Sequence, residues 1–513
     1  TYAIRPQLDF KNPKCEDNID SYYLFEAKEA IEEWFGALGL SDAADKIKSC
    51  LILEDSDKQA HFIKYIVNED SQDLDSIRIF NRLNKGKIGL TNAELIKALL
   101  IMDAERSKEY SSEQLAIDWN YMERQFQDES FWAFISGGKE YQDRIDILFD
   151  FMTQKGDEDD ADFSYRKFQN LYDFELKAGK DVILDTLWEK LTHQTMREAW
   201  LEVKRMYDTL VAWYEDSMYY HYVGFLTTQG KTLHDIVTGI EKAKKDENGE
   251  EIKPWTREHI ETALKRLMAQ TFNEMTAVRP EDIDGWTYNG NNDIRGLLLL
   301  MNVETYKQTK YQRFPFHSYI KEKWDIEHID SQNEATGLRA SEDRLRWMRL
   351  TSDILMKEHH AIPNEKEAKA LAEELTSVVR EKTENGAIED KDVKGLDSIY
   401  PTLYVKVVEH YSGKISEQQG NKHALGNLTL LDTALNRSYQ DAPFPYKRQC
   451  VMDTDLRGDK FVPMCTKNVF LKFYTNSNSS ASFLDSMRWN KQDQDNYLAA
   501  IHKVVDPIFE TNI

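Results

Sequence analysis

Cysteine is scarce in this chain. There are four, Cys15, Cys50, Cys450 and Cys465, and no two have CxxC spacing. That excludes a zinc ribbon and a disulfide framework and leaves a reducing cytoplasm as the expected compartment. Long apolar runs are also missing. No stretch approaches the roughly 18 residues of a membrane-span candidate, and Leu297 to Met301 reads as a short buried piece of helix. No internal repeat occurs. No charged segment followed by an apolar one opens the chain, so no secretory leader is read at Thr1. Positive charge is in deficit, with a net charge of -24. So acidic a chain does not coat nucleic acid, because it repels phosphates at long range in low salt. With a Debye length of about 8 Å at physiological ionic strength, local basic patches still bind.

What is present supports a folded protein of several parts. Its 513 residues suit two to four domains. Apolar residues make up 41% and aromatics 12%, enough for a sizeable core. Tyr2-Ala3-Ile4 reads as a strand already under way, so further residues are expected before it. Residues 21–37 repeat apolar positions at three and four and predict an amphipathic helix. Cys50 to Leu53 and Phe62 to Val67 read as strands. A turn rich in Asn, Lys and Gly follows Ile79, and Thr91 with Glu94 three residues on forms a capping box that opens a helix. Residues 105–305 are mostly helical and aromatic, a spacer or platform. After Pro315 a strand-like run ends at His328. Helices are expected over about 365–382, near Asn436 and over about 491–509.

The chemistry concentrates in two short runs. One is Trp324-Asp325-Ile326-Glu327-His328-Ile329. The other is Gly426-Asn427-Leu428-Thr429-Leu430-Leu431, with Asn436 beyond it. Metal-dependent hydrolysis of a phosphodiester needs a base for water, a cation for the developing charge, and a group that fixes the base. In a compact strand–strand–helix arrangement His328 is the base, Glu327 and Asn436 are metal ligands, and Asn427 braces the loop carrying His328. The step from Asn427 to Asn436 allows a short strand, a turn and one helical turn. Carboxylate and amide oxygens are hard donors, which favours Mg²⁺ or Mn²⁺ over Zn²⁺. From Asn427 to Lys472 seven Lys and Arg face five acids, and Arg437 and Lys447 are the candidate phosphate contacts there. His423 and the His359-His360 pair read as surface residues.

Several landmarks, taken together, resemble a known family. Arg313-Phe314-Pro315-Phe316, the two runs above and Phe461-Val462-Pro463 resemble the C-terminal HNH-type domain of GmrSD-like proteins. These include type IV, modification-dependent restriction enzymes and other bacterial anti-phage effectors. Residues 79–100, with Tyr2 to Pro6 and Ile19 to Tyr23, resemble the ParB/sulfiredoxin-like domain at the N-terminus of the same proteins. The resemblance implies an α+β, predominantly helical chain in three parts. Residues 1–104 are the end of a ParB/sulfiredoxin-like α/β domain and 105–305 a helical middle. Residues 306–513 are a ββα-metal (HNH) nuclease domain with a helical insertion over about 333–420. It implies a Mg²⁺-dependent DNA endonuclease or nickase of anti-phage defence, acting on modified phage DNA and regulated by GTP or another NTP. No membrane association is implied, and an oligomer is compatible with it.

Two departures stand out. The family's Asp-Gly-Gln-Gln-Arg motif, tied to nucleotides, does not occur in this chain and would fall upstream of Thr1. Arg5, Asn84 and Lys85 are the remaining candidates for a nucleotide site. The separation of His328 from Asn427 is also far longer than a minimal motif needs. Two alternatives therefore stay open, a nucleotide-responsive sensor or scaffold with a silent nuclease domain, and an RNase.

Overall fold

The structure is a computed structural model. It describes residues 19–38, 45, 90–156, 159–173, 196–245, 249–272, 280–288, 293–309, 311–330, 341–361, 366–382, 393–412, 421–435, 442, 444–458, 460–474 and 489–512. The chain divides into two units, Thr1–Gly89 and Leu90–Ile513. In the first unit the described element is helix α1 (Ile19–Leu38), which spans the helix read from residues 21–37. Arg5, Asn84, Lys85 and the two strands read at Cys50 and Phe62 lie outside the described residues.

The second unit is predominantly helical. It opens with α2 (Asn92–Ser107), and the expected capping box is complete. Thr91 Oγ1 accepts from the Glu94 N–H at 3.2 Å, and Glu94 Oε2 accepts from the Thr91 N–H at 2.8 Å. Helices α3 (Ser112–Gln127), α4 (Glu129–Ser136), α5 (Asp146–Thr153), α6 (Phe163–Asp173) and α7 (Met196–Glu215) follow. Aromatic rings fill the space between them. Trp119 of α3 stacks on Phe149 of α5 at 5.6 Å and on Trp200 of α7 at 6.2 Å. Offset stacking of this kind adds to the area buried.

Helix α8 (Ser217–Thr228) runs through the middle of this packing and is buried along most of its length. Asp216 caps it, accepting from the Met218 and Tyr219 N–H groups. Gly224 makes room for the Phe316 ring. A Cβ there would lie 2.3 Å from the Phe316 ring, so only glycine lets α12 (Phe316–Glu322) approach. Between them come α9 (Leu233–Lys242), α10 (Arg257–Gln270) and α11 (Ile294–Gln308). The Leu297 to Met301 stretch is buried within α11, which packs on both strands described below. Helix α11, counted with the middle region when read by pattern, therefore supports the final third.

His221 on α8 is fully buried with both ring nitrogens bonded. Nδ1–H donates to the Ser217 carbonyl at 2.7 Å, and Nε2 accepts from the Phe314 N–H at 3.2 Å. That network assigns the neutral tautomer. Burial, helped by Lys307 and Arg313, pushes the imidazole down to about 4. An unfolded histidine takes its proton near pH 6.5, so protons favour the unfolded chain below that value. Stability from this group is complete above pH 6.5 and falls as pH drops toward about 4, by roughly 3 kcal/mol in all. Denaturant midpoints measured across that interval should fall less steeply for His221→Gln, which cannot titrate. Equal slopes would refute the assignment.

Strand β1 (Asp325–His328) pairs antiparallel with β2 (Leu428–Leu431), in the register Asp325↔Leu431 to His328↔Leu428. Between the strands lie α13 (Ser341–Ala361), α14 (Lys366–Lys382) and α15 (Val393–Ser412). After β2 come α16 (Phe444–Arg457), α17 (Met464–Phe470) and α18 (Lys491–Phe509). The buried Trp324 gathers the sequence landmarks. It stacks on Phe461 at 5.4 Å and meets Phe314 edge-on at 5.8 Å. No helix among the described residues is long and apolar enough to cross a membrane.

Candidate active site

The hairpin brings the two chemical runs together. Asn427 sits in the turn that enters β2 and is completely buried. Its side chain makes three bonds. Oδ1 accepts from the Asp330 N–H at 3.0 Å, and Nδ2 donates to the carbonyls of Asp330 at 2.9 Å and Lys422 at 2.8 Å. Its backbone carbonyl accepts from the Ile329 N–H at 2.9 Å. A buried amide with each of these groups satisfied ties the segment after His328 to the turn before β2. Gly426 lets α18 approach the turn. A Cβ there would stand 2.5 Å from the backbone oxygen of Gln494 on α18.

Adjacent residues of an extended strand project to opposite faces, and the contacts of β1 follow that rule. Glu327 is buried and meets Lys447 of α16, whose Nζ donates to Oε1. The same ammonium donates to the His328 carbonyl at 2.8 Å. Lys447 is 1% exposed. Read from sequence as a phosphate contact, it is turned inward here, because the buried carboxylate and carbonyl bind its charge within the fold.

His328 lies on the other face, half-buried. Its ring meets Tyr288 at 4.6 Å, with the planes at 68°, and His423 at 6.1 Å. Burial first, then the charges of Lys447, His423 and Lys422, pushes its imidazole down to about 4. It is therefore neutral at pH 7.

Tyr288 is the residue that pattern reading missed. A lone tyrosine forty residues upstream carries no local signal. The fold brings it in through a bridge between Thr287 and Ala424 and a bond from the Tyr288 N–H to the His423 carbonyl at 2.9 Å. His423, read as a surface residue, is half-buried beside His328. His359 and His360 end α13 in the inserted helices, and His360 is exposed. Asp432 is a further buried carboxylate of the hairpin. It caps residues 433–435 through the Ala434 and Leu435 N–H groups, and the register puts it at the opposite end of the hairpin from His328, on the order of 10 Å away.

Asn436 and Arg437 lie outside the described residues. Among the described residues no group of three or more His, Cys, Asp and Glu is placed to hold a metal ion. Glu327 is the one proposed ligand described, a hard oxygen donor balanced by Lys447. A carboxylate is a hard oxygen donor, the type Mg²⁺ takes, and here it is already engaged by Lys447.

Residues 362–503 match the family described as GmrSD restriction endonucleases, C-terminal domain. The range contains α14, α15, β2, α16 and α17, with Asn427, Asn436 and Lys447. Glu327 and His328 lie upstream of it and join it through the hairpin. No curated protein and no solved structure matches the chain.

Proposed function

From the match of residues 362–503 to the C-terminal domain of restriction endonucleases, we propose that the chain is a DNA endonuclease or nickase of anti-phage defence. One observation carries the reading. A neutral His328 stands at the end of a hairpin whose second strand lies in the matched range, and Asn427 anchors the segment that follows it. In this reading His328 takes the proton of the attacking water, and Asn427 holds the loop that aims it. Lys447 neutralises Glu327 and fixes the end of β1 by its bond to the His328 carbonyl. Glu327 and Asn436 are the residues that would hold Mg²⁺ or Mn²⁺, which requires the Glu327 carboxylate to exchange Lys447 for the cation. Such a cation, when bound, supplies charge stabilisation at the phosphorus and the leaving oxygen. Dependence on DNA modification and control by GTP or another NTP belong to the same proposal.

The test is cleavage of modified and unmodified plasmid by the full chain, with Mg²⁺ and with or without GTP. Nicked or linear product supports the reading, and intact plasmid under every condition overturns it. Engagement of Glu327 by Lys447 favours one rival, a nucleotide-responsive scaffold with a silent nuclease domain, and nucleotide binding without any cleavage would establish that rival. If Asn436 is a ligand, Asn436→Ala moves the Mg²⁺ titration of cleavage to concentrations roughly tenfold higher or more. An unchanged titration removes Asn436 from the metal site.

A further inference from the structure

We infer that Tyr288 and His423 form a stacking wall for an unpaired nucleobase beside the phosphate that His328 acts on. The favoured substrate is then single-stranded or locally opened DNA. The inference rests on the nuclease reading and adds a substrate form to it.

Exposure alone is no signal here. Tyr121, Tyr311 and Phe473 are exposed at 65%, 95% and 74% and touch nothing chemical described above. Tyr288, 44% exposed, differs in where it is held. Its backbone is tied to the turn before Asn427, its ring meets His328 at 4.6 Å, and it stacks with His423 at 6.5 Å and 23°. Lys422 stands on the same turn, paired with Asp330 at 3.3 Å. Aromatic rings next to a cation are the usual equipment for single-stranded nucleic acid, because every base has a face that can stack. Within a duplex those faces are already covered by neighbouring bases, so a ring wall can take only a base that has left the stack.

The test uses the full chain without divalent metal, so that nothing is cut. A DNA oligonucleotide with one 2-aminopurine is offered as a single strand and as its duplex. The wild type should bind the single strand more tightly and quench the probe. Tyr288→Phe keeps the ring and should do the same. Tyr288→Leu should lose the quench and weaken single-strand binding on the order of 10- to 100-fold, with duplex binding unchanged. A melting curve like the wild type's confirms that this variant is folded. Wild-type affinity and quenching in Tyr288→Leu would overturn the inference and leave Tyr288 as a support for the His328 ring. Binding of duplex alone by the wild type would overturn it while the nuclease reading stands. Binding of neither form would also overturn it, and the nuclease reading is then decided by the plasmid assay with Mg²⁺.

Discussion

His328→Ala abolishes plasmid cleavage while the chain stays folded. The general-base contribution is typically 10²- to 10⁴-fold in rate, and no second described group is placed to replace it. His423 is the nearest imidazole, with its ring 6.1 Å from that of His328 and packed against Tyr288. The substitution is mild for the fold. His328 is half-buried at the end of a four-residue strand, its backbone pairs with Leu428 across the hairpin, and its carbonyl accepts from Lys447. An alanine keeps those bonds. The measurement is initial cleavage rate beside a melting curve. A variant that cuts at the wild-type rate shows that His328 is not the base.

Lys447→Met destabilises the chain by roughly 3–5 kcal/mol, the usual result of removing one partner of a buried ion pair. Lys447 and Glu327 side chains are 1% and 6% exposed, so the remaining carboxylate has little access to water. The His328 carbonyl loses its donor as well. The double variant Glu327→Gln with Lys447→Met should recover much of the loss, since no charge is then left buried and unpaired. Denaturant unfolding of the wild type, both single variants and the double variant measures this as a cycle. If Lys447→Met unfolds with the wild type, the ion pair does not hold the site together. A large loss that the double variant does not recover would place the importance of Lys447 in its bond to the His328 carbonyl.

These two residues show how far pattern reading reaches. His328 was found from a local run, an acid and a histidine on apolar residues, and from the order of the second run. Lys447 reads as a candidate phosphate contact by its charge, and the structure sets it against Glu327 and the His328 carbonyl. The pairing of Glu327 with His328 as a metal-and-base couple was read from adjacency along the chain. In an extended strand adjacency separates side chains, and the structure has Glu327 on Lys447 and His328 on Tyr288.

The sequence by itself determined what depends on neighbours within a few residues. The Thr91–Glu94 capping box, α14 over Lys366–Lys382 and α18 over Lys491–Phe509 follow from caps and helical periodicity. Only the tertiary structure decided the company each active-site candidate keeps. Glu327 and Lys447 are 120 residues apart, and the Asn427 side chain bonds Asp330 across 97. Closing loops of that length costs entropy that a local pattern cannot show, and the packing of α11 and α17 on the strands and of α18 on the turn before β2 offsets it. Tyr288 is the clearest case. Nothing beside it in the chain marks it, and its place next to His328 depends on the backbone bridge to the turn before β2.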